Sequence, residues 1–301
     1  DIILQYTIKP NLYGTFVATF LKIPVINNIS GLGTVFLKDK FVYKFARVLY
    51  KIILRFPKKI FFQNQHDYDM FVEKKIVKSN LCDVIPGSGI NSDKFSPQKK
   101  KDSSSLSVTF LMIARLIKDK GIIEYIDAVK ILKRKYPNTK FQLIGSLYPG
   151  NPSAISKEML DGWIDSNYIE YLDFSDDMEQ IISKVDCVTL PSYREGLSRV
   201  LLESASMAKP IVTTDVVGCR DVVEHGVNGF LCEVKNANSL AMEMEKIILM
   251  TPQERTEMGN RGRERVIGKF DEKIVIEKYL NSISKILNKK VKKEFKVGYF
   301  N

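Results

Sequence analysis

From residue 106 onward, short apolar runs alternate with longer segments whose apolar residues return every three or four positions. Continuous apolar runs suit strands buried on both faces, and the 3.6-residue period suits helices laid over them. "VTFLMIA" predicts a strand. "GIIEYIDAVKILKRKYP" predicts a helix with Ile122, Ile126, Val129 and Leu132 inward, stopping before Pro137. The alternation continues through "KFQLIG", a loop and helix around 152–166, "YIEYLDF", a helix near 176–184, "DCVTLP", "LSRVLLESASMA", "PIVTTD" and "GFLCE". Strands alternating with helices at this spacing predict a parallel, doubly wound α/β sheet.

A similar rhythm precedes residue 98, in "DIILQYT", "PVINNIS", "KIFFQN" and "CDVIPGSGI". Four strands separated by helical stretches predict a second Rossmann-like unit. "SPQKKKDSSSLS" between the two is polar and serine-rich, as a linker is. The expected division is therefore residues 1–97, 98–284 and a basic tail over 285–301. Asp1 stands directly on a strand, so the first unit is expected to lack its opening strands.

With 301 residues, 45% of them hydrophobic, the chain can fill two cores. The four cysteines, Cys82, Cys187, Cys219 and Cys232, show no CxxC spacing, and only two histidines accompany them, so no zinc set is predicted. A reducing cytosol is the expected compartment. No apolar run reaches the ~18 residues of a membrane span.

The net charge of +11 fits nucleic acid, anionic membrane or phosphorylated substrates, so its placement matters. In "KFVYKFARVLYKIILRF", Lys40, Lys44, Arg47, Lys51 and Arg55 form one helical stripe. Phe41, Phe45, Val48, Leu49, Ile52 and Phe56 form a neighbouring one. Two readings stand: a domain helix with a solvated charged side, or a helix lying through residues 40–56 on anionic lipid, where each basic side chain contributes about 1 kcal/mol. A second basic cluster holds Lys285, Lys289, Lys290, Lys292, Lys293 and Lys296. No nucleic-acid reading motif accompanies either cluster, so no nucleic-acid partner is expected.

Candidate chemistry lies at the carboxyl ends of the predicted strands, where open α/β sheets bind ligands. Arg115 and Lys120 follow "VTFLMIA" and suit a diphosphate, although an ordinary polar loop has the same composition. "PSYREGLSRVLLE" puts Glu195 before a predicted helix and Glu203 two turns inside it, with Leu201, Leu202, Ala205 and Ala208 on the inner face. Eight residues at 1.5 Å each separate the acids by roughly 12 Å along a helix axis, too far for a close acid/base pair. They suit hydroxyls at two ends of one ligand, with an anion at the helix N-terminus between them and Gly196 permitting close backbone approach. Taken singly, Glu195 also fits a favourable charge for the helix dipole, and Glu203 a solvent-facing residue. His66 and His225 read as structural, His225 in a turn before glycine.

Together, "ARLIKDKG", "PSYREGLSRVLLE", "AKPIVTTDVVGCRDVVEHGVNGFL" and "VIPGSGINSDKFSP" resemble family 4 of the retaining glycosyltransferases, whose fold is GT-B: two Rossmann-like domains facing a cleft. The resemblance covers essentially the whole chain. It implies that Arg115 and Lys120 neutralise a nucleotide diphosphate, that Glu195 holds the donor sugar's hydroxyls and that Glu203 holds the ribose. Gly196, Leu197 and Ser198 would offer backbone amides, with Gly145 near the nucleotide and Phe174 near the base. The reaction it implies keeps the anomeric configuration by front-side departure and attack, and it implies no metal cofactor.

"YTIKPNLYG" and "NNISGLGTVF" resemble the branch that extends polyprenyl-diphosphate-linked sugars, and Tyr6 stands where many relatives carry histidine. The resemblance then implies acceptor contacts at Tyr6, Lys9, Gly31 and Gly33; Lys9 equally suits a plain surface charge. The expectation is a cytoplasmic enzyme, peripheral on the inner face of the cell membrane, that moves a hexose or N-acetylhexosamine from a nucleotide sugar, uridine-linked, to a lipid-linked saccharide. Two alternatives stand beside it: a soluble transferase with a small acceptor, and an inactive lipid-binding relative.

Overall fold

The computed structural model describes residues 1–31, 48–98, 107–172, 175 and 177–288. Expectations that fall on residues 32–47, on residues 99–106 of the linker, on Phe174 or on the tail beyond 288 lie outside the described residues.

The chain divides into two compact units, one of Asp1–Gly89 with the segment from Glu272 onward, the other of Ile90–Asp271. This differs from the expected boundaries at 97 and 284. The segment from Glu272 returns to the first unit because Val275 and Tyr279 bury themselves against Ile26, Phe61 and Ile85. Burying side chains of this size stabilises by about 1.5–3 kcal/mol each. Asn28 adds a 2.8 Å hydrogen bond to the Tyr279 hydroxyl.

In the first unit, β1 (Ile3–Tyr6) leads through a π-helical turn at Pro10–Gly14 into α1 (Thr15–Phe20). Then follow β2 (Val25–Ile29), α2 (residues 48–53), β3 (Lys59–Phe62), α3 (Gln65–Glu73), β4 (Cys82–Val84) and, from the chain's far end, α10 (Glu272–Leu287). The sheet is parallel in the order β1-β2-β3-β4. All four expected strands are present.

α2 sharpens the reading of the basic helix. Tyr50, Ile53 and Leu54 are its buried face, packed with Phe62 and Phe71. Val48 and Ile52 of the helix and Phe56 in the turn after it are about half exposed, and Lys51 and Arg55 beside them are exposed too. The helix packs through one side and leaves an apolar stripe uncovered on another.

The second unit carries β5 (Thr109–Ile113), α4 (Ile122–Lys135), β6 (Lys140–Ile144), α5 (Lys157–Asp165), β7 (Glu170–Leu172) and α6 (Met178–Ser183). β8 (Cys187–Leu190), α7 (Arg199–Ser206), β9 (Ile211–Thr214), β10 (Gly229–Cys232), α8 (Ala237–Leu249) and α9 (Pro252–Lys269) complete it. The sheet is parallel in the order β10-β9-β8-β5-β6-β7. After β5 the chain therefore winds one way to β7, then crosses back to lay β8 on the other side of β5. That reversal leaves a crevice at the carboxyl ends of β5 and β8, where such sheets bind ligands. The loop and helix expected around 152–166 are both present, the helix beginning at Lys157, where Ser156 caps it by accepting from the Met159 amide at 3.3 Å.

α7 is fixed from its far end. The Arg263 guanidinium of α9 donates to the Ser206 carbonyl, and also to those of Phe95 at 3.1 Å and Ser92 at 3.3 Å. A cation here complements the negative end of the helix. Gly259 lets α9 approach closely, since a Cβ there would lie 1.9 Å from the Ala208 carbonyl oxygen. Gly259→Ala is expected to lower stability by about 1–3 kcal/mol by overpacking, read from the midpoint of urea unfolding; an unchanged midpoint would refute the close-packing argument.

Candidate functional site

Two loops meet at the crevice between β5 and β8. The first leaves β5 at Arg115 and tightens into a 3₁₀ turn, Lys118–Lys120, before α4. Its last residue before the helix is Gly121, at φ 75°, where a Cβ would sit 2.0 Å from the carbonyl oxygen of Pro191. Only glycine takes both that conformation and that approach without strain. The second loop leaves β8 through Pro191 and is tied to the first by the Tyr193 amide, which donates to the Asp119 carbonyl at 2.9 Å.

This junction delivers Lys120 to Glu195. Their ammonium and carboxylate stand 2.5 Å apart, with side chains only 19% and 13% exposed. So little exposure means the pair is weakly screened, and removing either partner leaves a poorly solvated charge. Arg115 is exposed, its guanidinium 5.5 Å from the Tyr148 ring centroid. Two cations therefore follow β5, one aimed by a carboxylate and one stacked on an aromatic face.

The Glu195 loop is braced by a turn after β9. The Glu195 amide donates to the Val217 carbonyl at 3.3 Å, and the Ser198 amide to the Gly218 carbonyl at 3.5 Å. Ser198 is the N-cap of α7, its hydroxyl accepting from the Leu201 amide at 3.5 Å. Gly196 and Leu197 are half-buried just ahead of that helix start. Of the expected amide set, Ser198 is thus already engaged.

α7 starts at Arg199, so Glu203 lies just over one turn inside it, rather than two. Leu201, Leu202 and Ala205 are buried as expected, whereas Ala208 falls beyond the helix at φ 54°. Glu203 is buried, not solvent-facing, and Arg199 one turn before it donates at 2.8 Å. Burial raises the Glu203 carboxyl above the usual range, and the Arg199 guanidinium pulls it back. Lys94 and Glu179, themselves paired at 3.0 Å, contribute smaller opposing fields.

Gly145 ends β6 beside Ala114, and its carbonyl accepts from the Tyr171 hydroxyl at 2.7 Å. Tyr193 and Glu124 join the site from outside the set that the sequence motifs mark. The Tyr193 hydroxyl donates to Glu124 of α4 at 2.7 Å, while Lys235 covers the ring from 4.9 Å. Burial and the neighbouring carboxylate push that hydroxyl well above its ordinary pKa, so it stays protonated as a strut between the loops. "PSYREG" shows the tyrosine but nothing in it names the distant carboxylate.

In the first unit, Tyr6 ends β1, opposite Asn28 of β2, and Gly31 follows the end of β2. Both occupy the carboxyl edge of that sheet; Gly33 lies outside the described residues. Lys9 is exposed ahead of the π-helical turn, which fits the plain surface reading as well as a ligand contact. Beneath them is a buried polar cluster that the sequence reading did not identify. Asn27 donates to the Thr15 hydroxyl at 2.9 Å, Thr15 to Gln5 at 3.0 Å, and Asn11 to the Asn28 carbonyl at 2.8 Å.

His66 is exposed on the first turn of α3. His225 Nδ1 accepts from the Leu231 amide at 3.0 Å, a turn contact. All four thiols are buried and free, and burial pushes Cys219, under the Glu195 loop, up to about 12. No cluster of three metal-ligating side chains occurs among the described residues.

The family described as "Glycosyl transferases group 1" matches residues 93–265, nearly the whole second unit. The chain is 29% identical over 305 residues to the N,N'-diacetylbacillosaminyl-diphospho-undecaprenol alpha-1,3-N-acetylgalactosaminyltransferase of Campylobacter jejuni, covering 95% of this chain and 77% of that protein. It is 28% identical over 286 residues to the capsular polysaccharide biosynthesis glycosyltransferase CapM of Staphylococcus aureus, covering 92% and 74%. Among solved structures, Anabaena Alr3699/HepE in complex with UDP-glucose superposes with a TM-score of 0.76 at 21% identity, over 94% of this chain and 78% of that one.

Proposed function

The chain belongs to the group 1 glycosyl transferases and is a glycosyltransferase of GT-B fold, and from that premise we propose its substrates and the work of its residues. It moves a hexose or N-acetylhexosamine from a uridine diphosphate sugar to a polyprenyl-diphosphate-linked saccharide, with retention at the anomeric carbon. The observation that carries this reading is the Lys120–Glu195 pair, held at the switch point between β5 and β8.

The donor's diphosphate lies over the loop after β5, with Arg115 and Lys120 as its cations and the N-terminus of α7 facing it. As the bond between the anomeric carbon and the phosphate oxygen breaks, negative charge grows on the leaving diphosphate. Cations already in place stabilise that charge more than they stabilise the ground state. The acceptor hydroxyl attacks from the same face, and its proton passes to the departing phosphate oxygen. The products are the extended saccharide and uridine diphosphate. Glu195 has two carboxylate oxygens, one on Lys120 and one for a sugar hydroxyl. Glu203 accepts from the ribose.

The acceptor enters along the carboxyl edge of the first unit, past Tyr6, Lys9 and Gly31. A lipid-linked acceptor calls for attachment to a membrane, and no helix among the described residues is long and apolar enough to cross one. The exposed stripe of Val48, Ile52 and Phe56, flanked by Lys51 and Arg55, supports peripheral attachment to an anionic cytoplasmic leaflet.

Incubating the protein with a panel of nucleotide sugars and a short polyprenyl-diphosphate sugar tests the reading by mass spectrometry. The expected product is the acceptor heavier by one sugar, formed from a uridine-linked donor; transfer only to small, lipid-free acceptors would overturn it. Glu203→Ala is expected to weaken uridine diphosphate binding about tenfold, measured by calorimetry, because it removes a charged hydrogen-bond acceptor. Equal affinities would remove Glu203 from the ribose site.

A further inference from the structure

A second basic feature of the first unit lies where β3 begins, at the amino edge of the sheet rather than the carboxyl edge that carries Tyr6 and Gly31. Lys58 and Lys59 stand where β3 begins, Asp83 lies in the middle of β4, and Lys278, Asn281, Ser282, Lys285 and Ile286 come from α10. Together they line a groove of about 320 Å³. Four ammonium groups and one carboxylate face it, a net charge of +3 in a concavity, which concentrates the field there.

The single carboxylate is already committed. Asp83 accepts from the Val84 amide at 2.8 Å and pairs with Lys278 at 3.6 Å. Lys278 also donates to the Val84 carbonyl at 2.6 Å, and Lys59 to the Cys82 carbonyl at 3.3 Å. These contacts fix the groove's wall. Lys58 and Lys285 are exposed and have no side-chain partner among the described residues, so their charge is available to an anion entering from solvent. Asn281 and Ser282 bring neutral hydrogen-bonding groups to the same space.

We propose that this groove binds the phosphate of an anionic lipid headgroup, as an attachment point separate from the α2 stripe. A groove of this volume takes a headgroup more readily than a folded protein element, and Lys ammoniums are effective point charges for phosphate. Lys285 lies in the last turn of α10, and the sequence that follows carries Lys289, Lys290, Lys292, Lys293 and Lys296. The excess of cations at this end of the chain matches the charge of an anionic leaflet, in which basic side chains near the surface add their contributions. The groove takes no part in sugar transfer, so attachment and nucleotide binding are separable.

The test is sedimentation of the whole protein with phosphatidylglycerol vesicles, phosphatidylcholine vesicles and, in a separate arm, inorganic phosphate as competitor. Lys58→Glu/Lys285→Glu is expected to lower affinity for the anionic vesicles by about 20-fold while uridine diphosphate affinity stays that of the parent. Lys58→Gln/Lys285→Gln is expected to give a smaller loss in the same direction, and retained nucleotide affinity certifies that both variants fold. Lys157→Glu/Lys269→Glu, which changes net charge equally at exposed positions of the second unit, is expected to leave vesicle binding nearly intact. Equal losses in the two Glu variants would reduce the effect to net charge and overturn the site. Unchanged vesicle binding by the groove variant would also overturn it. So would saturation of the groove by inorganic phosphate alone, with vesicle binding unaffected by the substitutions.

Discussion

Replacing Lys120 with alanine is expected to lower kcat by about 100- to 1000-fold, with a much smaller loss of donor affinity. The asymmetry follows from when the charge is needed. In the proposed complex the donor's diphosphate charge is spread over several oxygens and shared with Arg115 and the α7 amides. The leaving group concentrates an added charge on the bridging oxygen, and Lys120 is the cation that Glu195 holds in position to receive it. An interaction made mainly in the transition state shows in kcat rather than KM. Lys120→Arg should recover little, because a planar guanidinium spreads its charge over a fork, whereas Glu195 holds the compact ammonium of Lys120 at one point. Steady-state kinetics at saturating donor decide the matter. A kcat within about threefold of the parent would move the leaving-group role to Arg115 alone.

The central strands were the most legible, because parallel strands buried on both faces read as near-continuous apolar runs. β8 and β9 are completely buried, and "DCVTLP" and "PIVTTD" announce them, polar threonines included. The position of Glu195 in the loop after β8 was legible for a related reason. A loop leaving a buried strand and entering a capped helix leaves few places for a carboxylate to go.

Other features depend on partners far away in sequence, and no local pattern encodes those. α10 is an amphipathic helix whose period shows that it packs, not which sheet it packs on; Tyr279 finds Asn28 across 251 positions. The burial of Glu203 was equally hidden, since its nearest cation, Arg199, is visible at helical spacing but the depth of α7 in the unit is not. The buried polar cluster around Asn27 reads in sequence as a strand weakened by two asparagines. The Asn27 amide finds partners only because the π-helical turn and α1 bring the Asn11 carbonyl and the Thr15 hydroxyl to β2, while the Asn11 side-chain oxygen stays buried without one. For α2, the stripe marked by periodicity splits, with Val48, Ile52 and Phe56 half exposed and Leu49 against the core, and nothing in the period said that Tyr50, Ile53 and Leu54 would be the buried set.

Glu195→Ala is the substitution that separates the two tasks assigned to that carboxylate. Turnover is expected to fall about 100-fold, because the sugar loses an acceptor for its hydroxyls and Lys120 loses its aim. Affinity for uridine diphosphate is expected to hold or to tighten. Glu195 pairs with the Lys120 ammonium at 2.5 Å, so a diphosphate must compete with a carboxylate for that cation. Alanine removes the competitor and leaves a poorly solvated ammonium whose best remaining partner is phosphate. Glu195→Gln keeps a hydrogen-bond acceptor without the charge and should fall between the two in turnover. Because both residues act on one geometry, the double variant Lys120→Ala/Glu195→Ala should lose far less than the product of the single losses. Calorimetry with uridine diphosphate beside single-turnover rates makes the comparison. If affinity for uridine diphosphate fell in parallel with turnover, Glu195 would be a general brace for the loop after β8, and the sugar contact would have to come from another side chain.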